Sequence, residues 1–183
     1  MVLEYNLFDY SFKVLEAQDK YEFDCGDDDL TEFFREDAIP HKKALIGVTY
    51  FFYDKESRTA IAFFTVSNDA IRTDPFINDL PEDKRYRFYP AVKIGRIGVN
   101  KEYQRRDIGT QMMDFIKRFF ILENKTGCRF LTVDAYNKPG ILKFYKDNGF
   151  TFYTEKDVNK PTRTMKYDLK PYSDKMKGAY ANR

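Results

Sequence analysis

The segment RIGVNKEYQRRDIGTQMM, residues 96–113, joins an apolar strand-like run to a polar turn and then to a helical pattern. A turn of exposed backbone N–H groups at the start of a helix binds phosphate through those donors and the helix dipole together. Gln104, Arg105 and Arg106 add side-chain donors and positive charge. The segment lacks the patterns of the P-loop and of the dinucleotide fingerprint. It predicts an anion site of another kind, with Asp107 where such a turn usually has glycine.

The bulk composition is that of a soluble globular protein, with 43% hydrophobic and 33% charged residues. The length predicts a single domain, 1–183, in which residues 170–183 form a polar, basic C-terminal tail or a short added element. No apolar run approaches the ~20 residues that span a bilayer, and the N-terminus, MVLEYNLFDY, lacks signal-peptide features. Neither Cys25 nor Cys128 has a metal-ligand neighbour. We therefore expect a cytoplasmic protein with reduced thiols, without a metal or a membrane partner.

The net charge of +2 is unevenly distributed along the chain. Residues 1–40 hold twelve acids and three bases, a net charge of −9, so residues 41–183 carry +11. The densest basic stretch, residues 84–106, has eight Lys or Arg against one acid, Glu102. Such a stretch is either a solvated surface or a site for a polyanion.

Apolar and β-branched runs predict a mixed sheet with helices on its faces, an α/β or α+β domain. The predicted strands are residues 10–18, 45–54, 59–69, 91–99, 129–136, 150–155 and 161–169. The second and third are joined by the polar turn KESR, which predicts a hairpin. Residues 72–90 are predicted to be an irregular loop with one short helix.

Three helices are predicted from capping residues and from apolar spacing. In the first, Asp27–Asp29 cap the start and oppose the positive end of the dipole, and the buried face is Leu30, Phe33, Phe34 and Ala38. The second follows the anion turn and buries Ile108, Met112, Phe115, Ile116 and Phe119. The third is capped by Asn137, has Pro139 in its first turn and ends at Gly149.

Two of these segments resemble the motifs of one enzyme superfamily. Residues 104–110 resemble motif A of the GNAT acetyltransferases, Q/R-x-x-G-x-G/A, with Asp107 and Thr110 departing from the glycine positions. About forty residues later, YNKPGILKFYKDNGF resembles motif B, an Asn, a helix carrying Phe-Tyr, and Gly-Phe opening a strand. The order of strands and helices also agrees, from about residue 10 to residue 169. The sequence is identified as a member of the GNAT superfamily on these motifs.

The resemblance implies a single GNAT domain with a splayed mixed sheet of six or seven strands. A gap between the fourth and fifth strands would admit the pantetheine arm of acetyl-CoA, held by the backbone of Ile97, Gly98 and Val99. The pyrophosphate would be held by Gln104, Arg105, Arg106, Asp107, Ile108, Gly109 and Thr110. The Asp107 side chain would then face outward, since Asp tolerates positive φ, and its charge would weaken cofactor binding modestly. Alternatively, Asp107 simply caps the helix.

The resemblance also implies a catalytic role for Tyr145, which would protonate the departing CoA thiolate. The chemistry suits, because a phenol of pKa ~10 can donate to a thiolate whose acid has a pKa near ~8.5. By spacing alone Tyr145 would be a core aromatic residue, as we expect for its neighbour Phe144. Asn137 is assigned to the helix cap and to a contact with the cofactor.

The general base is not evident, and this restricts the acceptor. Many relatives place a Glu on the fourth strand, but residues 91–99 contain no carboxylate. Asp134 on the next strand or an ordered water are alternatives, and a structural role for Asp134 is equally open. A Lys amine of pKa ~10.4 is about 0.1% neutral at pH 7.5, whereas an α-amine of pKa ~7.7–8 is substantially neutral. The chain should therefore favour an α-amine acceptor.

A second resemblance agrees with this expectation. FDCGDDDLTEFFREDA is similar to the F-x-C-G…L-x-x-F-L…A opening of GNAT toxins from bacterial toxin–antitoxin pairs, through Phe23, Cys25, Gly26, Leu30, Phe33, Phe34 and Ala38. KIGRIGV resembles their L-G-R-L-A-V strand. Those toxins acetylate the α-amine of aminoacyl-tRNA and are neutralised by a ribbon-helix-helix antitoxin. The basic residues, with Lys42 and Lys43, would then contact tRNA as well as CoA.

Other interpretations stay open at this point. The chain could be a housekeeping acetyltransferase for small amines or protein N-termini, or a non-catalytic CoA- or RNA-binding module on the same fold. A homodimer is also compatible with the sequence. The one histidine, His41, is interpreted as structural.

Overall fold

The computed structural model describes residues 6–73, 86–122 and 126–181, and most of the loop predicted at residues 72–90 lies outside these ranges. Seven strands form one sheet in the order β1-β2-β3-β4-β5-β7-β6. The strands are β1 Ser11–Val14, β2 Val48–Asp54, β3 Thr59–Arg72, β4 Phe88–Val99, β5 Phe130–Tyr136, β6 Thr151–Phe152 and β7 Thr162–Asp168. The helices are α1 Asp28–Glu32, α2 Ala38–Lys43, α3 Ile108–Ile121, α4 Pro139–Asp147 and α5 Leu169–Ala181. The predicted α/β class and strand number are confirmed.

The chain divides into two compact units. The first is Met1–Ser67 with Ile94–Phe115, and the second is Asn68–Lys93 with Ile116–Arg183. In the first unit β1, β2 and β3 form an antiparallel meander, in which Val48 pairs with Val66 and Asp54 with Thr59. The predicted hairpin between β2 and β3 is confirmed.

A helical segment of the first unit begins at an acidic cap. The Asp27 carboxylate accepts from the Leu30 N–H, as predicted, and a π-helical turn, Phe33–Asp37, joins α1 to α2. The predicted apolar face packs into a core that is largely aromatic, because Phe residues of β2 and β3 also project into it. This core contains Phe23, Phe33, Phe34, Ala38, Phe51 and Phe63, with Leu30 against its edge.

The second unit is built on an antiparallel pairing of β5 with β7, and of β7 with β6. Its core holds Ile71, Tyr89, Ala91 and Phe130, packed with Tyr153. The segment expected to be a tail or a short added element forms helix α5.

Helix α3 follows its predicted pattern at three of five positions. Ile108, Met112 and Ile116 are buried, whereas Phe115 and Phe119 are only half-buried, and Phe120 is buried at 4% exposure. Among the described residues, no helix is both long and apolar enough to cross a membrane.

Candidate active site

Strand β4 leads into the predicted anion turn through Gly98, where any larger residue would have to displace its neighbours. A Cβ built on Gly98 would lie 2.7 Å from Cε1 of Phe63 and 3.1 Å from Cζ of Phe23. Both rings are almost fully buried and have no room to move. Ile97 and Val99, on either side, are half-buried. The end of β4 is therefore fixed closely against the aromatic core of the first unit.

Asn100, which the sequence analysis overlooked, anchors the start of the turn. Its Nδ2 donates to the Ala60 carbonyl at 3.1 Å, and its backbone N–H donates to the Ile61 carbonyl at 2.9 Å. Its Oδ1 accepts from the Glu102 N–H at 3.3 Å and caps the 3₁₀ turn Lys101–Tyr103. An Asn placed between a strand and a polar turn is the signal that could have identified it.

The side chain of Gln104 links the turn to two backbone carbonyls. Its Nε2 donates to the Cys25 carbonyl at 2.7 Å and to the Val99 carbonyl at 2.9 Å. A side-chain amide has two N–H donors, so both are occupied. This corrects the expectation that the Gln104 side chain donates to an anion. Beside it, Lys101 Nζ pairs with Asp24 Oδ2 at 2.7 Å and ties the turn to the same neighbouring segment.

The turn itself contains two non-glycine residues in the left-handed region, Arg105 at φ +59° and Asp107 at φ +61°. The positive φ predicted to be tolerable at Asp107 is therefore present. Such conformations cost of order 1–3 kcal/mol and are concentrated at functional sites. Arg105, Arg106 and Asp107 are exposed. Among the described residues the Asp107 carboxylate makes no hydrogen bond, so the side-chain cap proposed as the alternative is not formed.

Helix α3 presents free backbone donors to this turn. Its first intrahelical bond runs from the Gln111 N–H to the Asp107 carbonyl at 3.0 Å. The N–H groups of Ile108, Gly109 and Thr110 precede it and have no intrahelical acceptor. Because the helix dipole adds positive potential at this end, these donors can hold an anion such as a pyrophosphate.

In the second unit, Tyr145 is held by the C-terminal turn of helix α4. The Gly149 N–H donates to the Lys146 carbonyl at 2.8 Å, and the Phe150 N–H donates to the Tyr145 carbonyl at 3.0 Å. These two bonds, with Gly149 at φ +83°, make a Schellman motif. The Tyr145 and Phe150 rings pack edge to face with centroids 5.5 Å apart. The predicted roles of Pro139, at the first helical position, and of Gly149 are confirmed.

The same helix end is secured by a buried cation. Lys117 is 8% exposed, and its Nζ donates to the Asn148 carbonyl at 2.8 Å. Asn148 in turn donates to the Phe144 carbonyl at 2.9 Å. A positive charge at a helix C-terminus also opposes the negative end of the dipole. The backbone around Tyr145 is therefore held by several independent contacts.

The Tyr145 side chain is only 5% exposed, and burial raises the pKa of its phenol above the usual value. The group consequently stays protonated throughout the neutral range. Among the described residues the Tyr145 hydroxyl has no hydrogen-bond partner. The ring is buried, but the hydroxyl oxygen is not among the buried unpartnered atoms of the described residues, so it is an accessible proton donor available to a ligand.

The comparison with known families decides the assignment of the chain. The family model described as the acetyltransferase (GNAT) domain matches residues 47–152, more than half of the chain. This chain belongs to the GNAT acetyltransferase family. Solved structures with 16–18% sequence identity to this chain add evidence for the shared fold.

Several solved structures that resemble this GNAT chain are toxin-type GNATs. AtaT complexed with acetyl-methionyl-tRNAfMet superposes with a TM-score of 0.74 at 18% identity, over 90% of this chain and 97% of that chain. A tyrosine-to-phenylalanine variant of KacT gives 0.74 at 18% identity, over 91% and 98%. A variant of AtaT bound to the C-terminus of the antitoxin AtaR and to acetyl-CoA gives 0.65 at 16% identity, over 89% and 95%.

The remaining candidate residues of this GNAT enzyme have structural partners. Asn137 does not cap α4, because the cap position is Lys138 and the Asn137 Nδ2 donates to the carbonyls of Val158 and Lys160 at 2.8 and 2.9 Å. The predicted cap is therefore wrong, since this amide bridges a loop some twenty residues ahead. Its assigned contact with the cofactor stays a prediction.

Asp134 is engaged by two side chains on its own sheet. Lys93 Nζ pairs with its Oδ2, and the Thr164 hydroxyl donates to its Oδ1 at 2.8 Å. Burial alone would raise the pKa of this carboxyl. The hydrogen bonds from Lys93 and Thr164, with the charge of Lys93, have the larger opposite effect, so the pKa lies below its usual value. A carboxylate with a lowered pKa is a weak base, which favours the structural role.

The described residues offer neither a reactive thiol nor a group of metal ligands. Both cysteines are free thiols, and burial is the main cause that raises the pKa of Cys128 to about 11. A thiol of that pKa is a poor nucleophile at neutral pH. Within the described ranges, no cluster of His, Cys, Asp and Glu could hold a metal ion.

Proposed function

We propose that this chain transfers the acetyl group of acetyl-CoA to the α-amine of aminoacyl-tRNA. The observation that carries the proposal is Tyr145, a buried and protonated phenol whose hydroxyl has no partner among the described residues. Such a group suits the one step of thioester aminolysis that needs a proton, the departure of the thiolate.

The residues at the start of α3 fit the pyrophosphate of CoA. The N–H groups of Ile108, Gly109 and Thr110 are without intrahelical acceptors, and the exposed Arg105 and Arg106 add positive charge. In this proposal the backbone of Ile97, Gly98 and Val99 binds the pantetheine arm and polarises the thioester carbonyl.

The chemistry is a direct transfer. The neutral acceptor nitrogen attacks the acetyl carbon, a C–N bond forms and the C–S bond breaks. The Tyr145 hydroxyl gives its proton to the leaving sulfur and is reprotonated from solvent. The acceptor nitrogen loses its extra proton to water. Because the pKa of Cys128 is raised, little of its thiol is ionised at neutral pH, which disfavours an acetyl-cysteine intermediate at this residue.

The acceptor follows from the absence of a strong base. Strand β4 carries no carboxylate, and Asp134 is paired with Lys93 and has a lowered pKa. An enzyme of this kind should act on amines that are already neutral near pH 7.5. The α-amine of an amino-acid ester is a weaker base than a lysine side chain or a polyamine, and the AtaT neighbour is bound to acetyl-methionyl-tRNAfMet.

An antitoxin is the partner that we propose for the chain. The AtaT neighbour was solved with the C-terminus of its antitoxin AtaR. A chain that acetylates aminoacyl-tRNA would arrest translation, and a cell could carry it only with such a protein. Growth arrest on expression of the wild type but not of Tyr145→Phe tests this part of the proposal.

The acceptor is tested with radiolabelled acetyl-CoA and four substrates in parallel: total aminoacyl-tRNA, free amino acids, polyamines and N-terminal peptides. We expect label on tRNA that mild base releases by ester hydrolysis, and no label with Tyr145→Phe. The matched control is Tyr153→Phe, which removes a tyrosine hydroxyl that donates to the Arg72 carbonyl. Transfer only to a peptide or a polyamine would contradict the proposed acceptor.

A further inference from the structure

One cation of the first unit lacks the partners that such a group normally has. Arg96 is half-buried on β4, and its Nε is inaccessible and without an acceptor. Its guanidinium lies over the Phe33 ring, with Cζ 4.2 Å from the ring centroid. Among the described residues Arg96 has no hydrogen bond and no ion pair. The contact with the ring positions the guanidinium and leaves its Nε–H without an acceptor.

The lack of an acidic partner for Arg96 is unexpected, because α1 and the π-helical turn that follows it are rich in carboxylates. The segment that holds Phe33 carries the acids Asp28, Asp29, Glu32, Glu36 and Asp37. None of them pairs with Arg96. Arginine cannot lose its charge to relieve burial, and an unsatisfied buried donor is destabilising.

The position of Arg96 connects it to the candidate active site within the same unit. Alternate residues of a strand share a face, so Arg96 and Gly98 project to the same side of β4. The missing Cβ of Gly98 faces Phe63, and the Phe63 ring stacks with that of Phe33, centroids 6.2 Å apart. Two residues of strand span about 7 Å. The Cα of Arg96 therefore lies about 7 Å along β4 from that of Gly98, whose backbone is assigned to the pantetheine arm.

We propose that Arg96 binds a phosphate of the acceptor and so selects a phosphate-bearing amine. The inference rests on the proposed function and extends it to the substrate-binding residue. The two terminal nitrogens of Arg96 are not among the buried unpartnered atoms, and the edge that they form matches a phosphate through two parallel N–H···O bonds, which an ammonium cannot reproduce. Phe33 orients this edge, and Phe33 is itself 1% exposed and contacted edge-on by His41 at 5.2 Å. Arg96 is thus held ready for an anion without being neutralised by one.

The test compares Arg96→Met with a matched control, Arg58→Met. Arg58 also stacks on an aromatic ring, that of Tyr21, but its guanidinium donates to the Lys20 carbonyl. Both substitutions remove one positive charge and a stacked guanidinium. The probe is a fluorescently labelled, deacylated tRNA acceptor-stem minihelix, titrated without acetyl-CoA and followed by anisotropy.

We expect Arg96→Met to weaken minihelix binding about ten- to hundredfold, which corresponds to about 1.4–2.7 kcal/mol, and Arg58→Met to leave it within about threefold. The Kd of CoA, measured by calorimetry, should stay unchanged in Arg96→Met, and its melting temperature should not fall, since an unsatisfied donor is removed. Arg96→Lys should give intermediate binding, because it keeps the charge without the fork.

Three results would overturn the inference: equal weakening in Arg96→Met and Arg58→Met, a weaker Kd for CoA, or a lower melting temperature with minihelix binding unchanged. Should Arg96→Met fail to fold, minihelix binding by Arg96→Lys as strong as that of the wild type would overturn it as well. A wild-type enzyme that binds the minihelix but transfers no acetyl group to aminoacyl-tRNA would contradict the proposed function instead.

Discussion

Replacing Asp107 by glycine should strengthen the binding of acetyl-CoA. The residue sits at φ +61° immediately before the free N–H groups of α3, and its carboxylate is exposed and without a hydrogen bond among the described residues. At ~6 Å from a phosphate charge, its repulsion amounts to roughly 0.7 kcal/mol for a dielectric of 80 and about 3 kcal/mol for 20. Exposure favours the lower value, so we expect a Kd lower by about three- to tenfold.

Two mechanisms contribute to this change, and a second variant separates them. Glycine removes the charge and also relieves the cost of positive φ. Asp107→Asn removes the charge but keeps a side chain that tolerates the left-handed region. Isothermal calorimetry of CoA with both variants should show that Asn accounts for most of the gain. The gain should shrink between 50 mM and 500 mM salt, because exposed charges are screened. Unchanged or weaker binding by Asp107→Asn would refute the electrostatic reasoning.

Two further predictions concern the framework of the site. Gly98→Ala should lower the free energy of unfolding by about 1–3 kcal/mol, because its Cβ would lie 2.7 Å from a buried ring; chemical denaturation measures this, and an unchanged midpoint would contradict the packing. The pKa of Asp134 is lower in the folded protein than in the unfolded chain, where it is about 3.9. Its ion pair with Lys93 therefore stabilises the fold above pH ~3.9, and this stabilisation is lost as the pH falls through the folded pKa. Thermal melts should therefore separate wild type from Asp134→Asn at pH 7, with the gap closing towards pH 3, and a constant gap would be inconsistent with this linkage.

Local signals in the sequence were sufficient for much of the fold. The hairpin between β2 and β3, the cap at Asp27 and the glycine end of α4 each depend on a few neighbouring residues, and all three are confirmed. The positive φ at Asp107 was also foreseeable, because the motif places a glycine there. These features follow from steric preferences that operate within one turn or one strand pair.

The features that were missed depend on partners far away in the sequence. Gln104 was expected to contact an anion, but its amide is satisfied by a carbonyl 79 residues away, at Cys25. Asn137 has the composition of a cap but bridges the carbonyls of Val158 and Lys160. The stacking of Arg96 on Phe33 joins a strand to a distant π-helical turn. A polar side chain chooses among acceptors that only the folded chain brings together, so its role cannot be assigned from spacing.

The central claim is that Tyr145 donates the proton to the departing thiolate. The most direct measurement is the rate of thiol release from saturating acetyl-CoA with aminoacyl-tRNA, for wild type and Tyr145→Phe, together with the Kd of CoA for each. We predict a kcat lower by about 10²- to 10⁴-fold, with the Kd and the melting temperature nearly unchanged. Full turnover by a folded Tyr145→Phe enzyme would contradict the account.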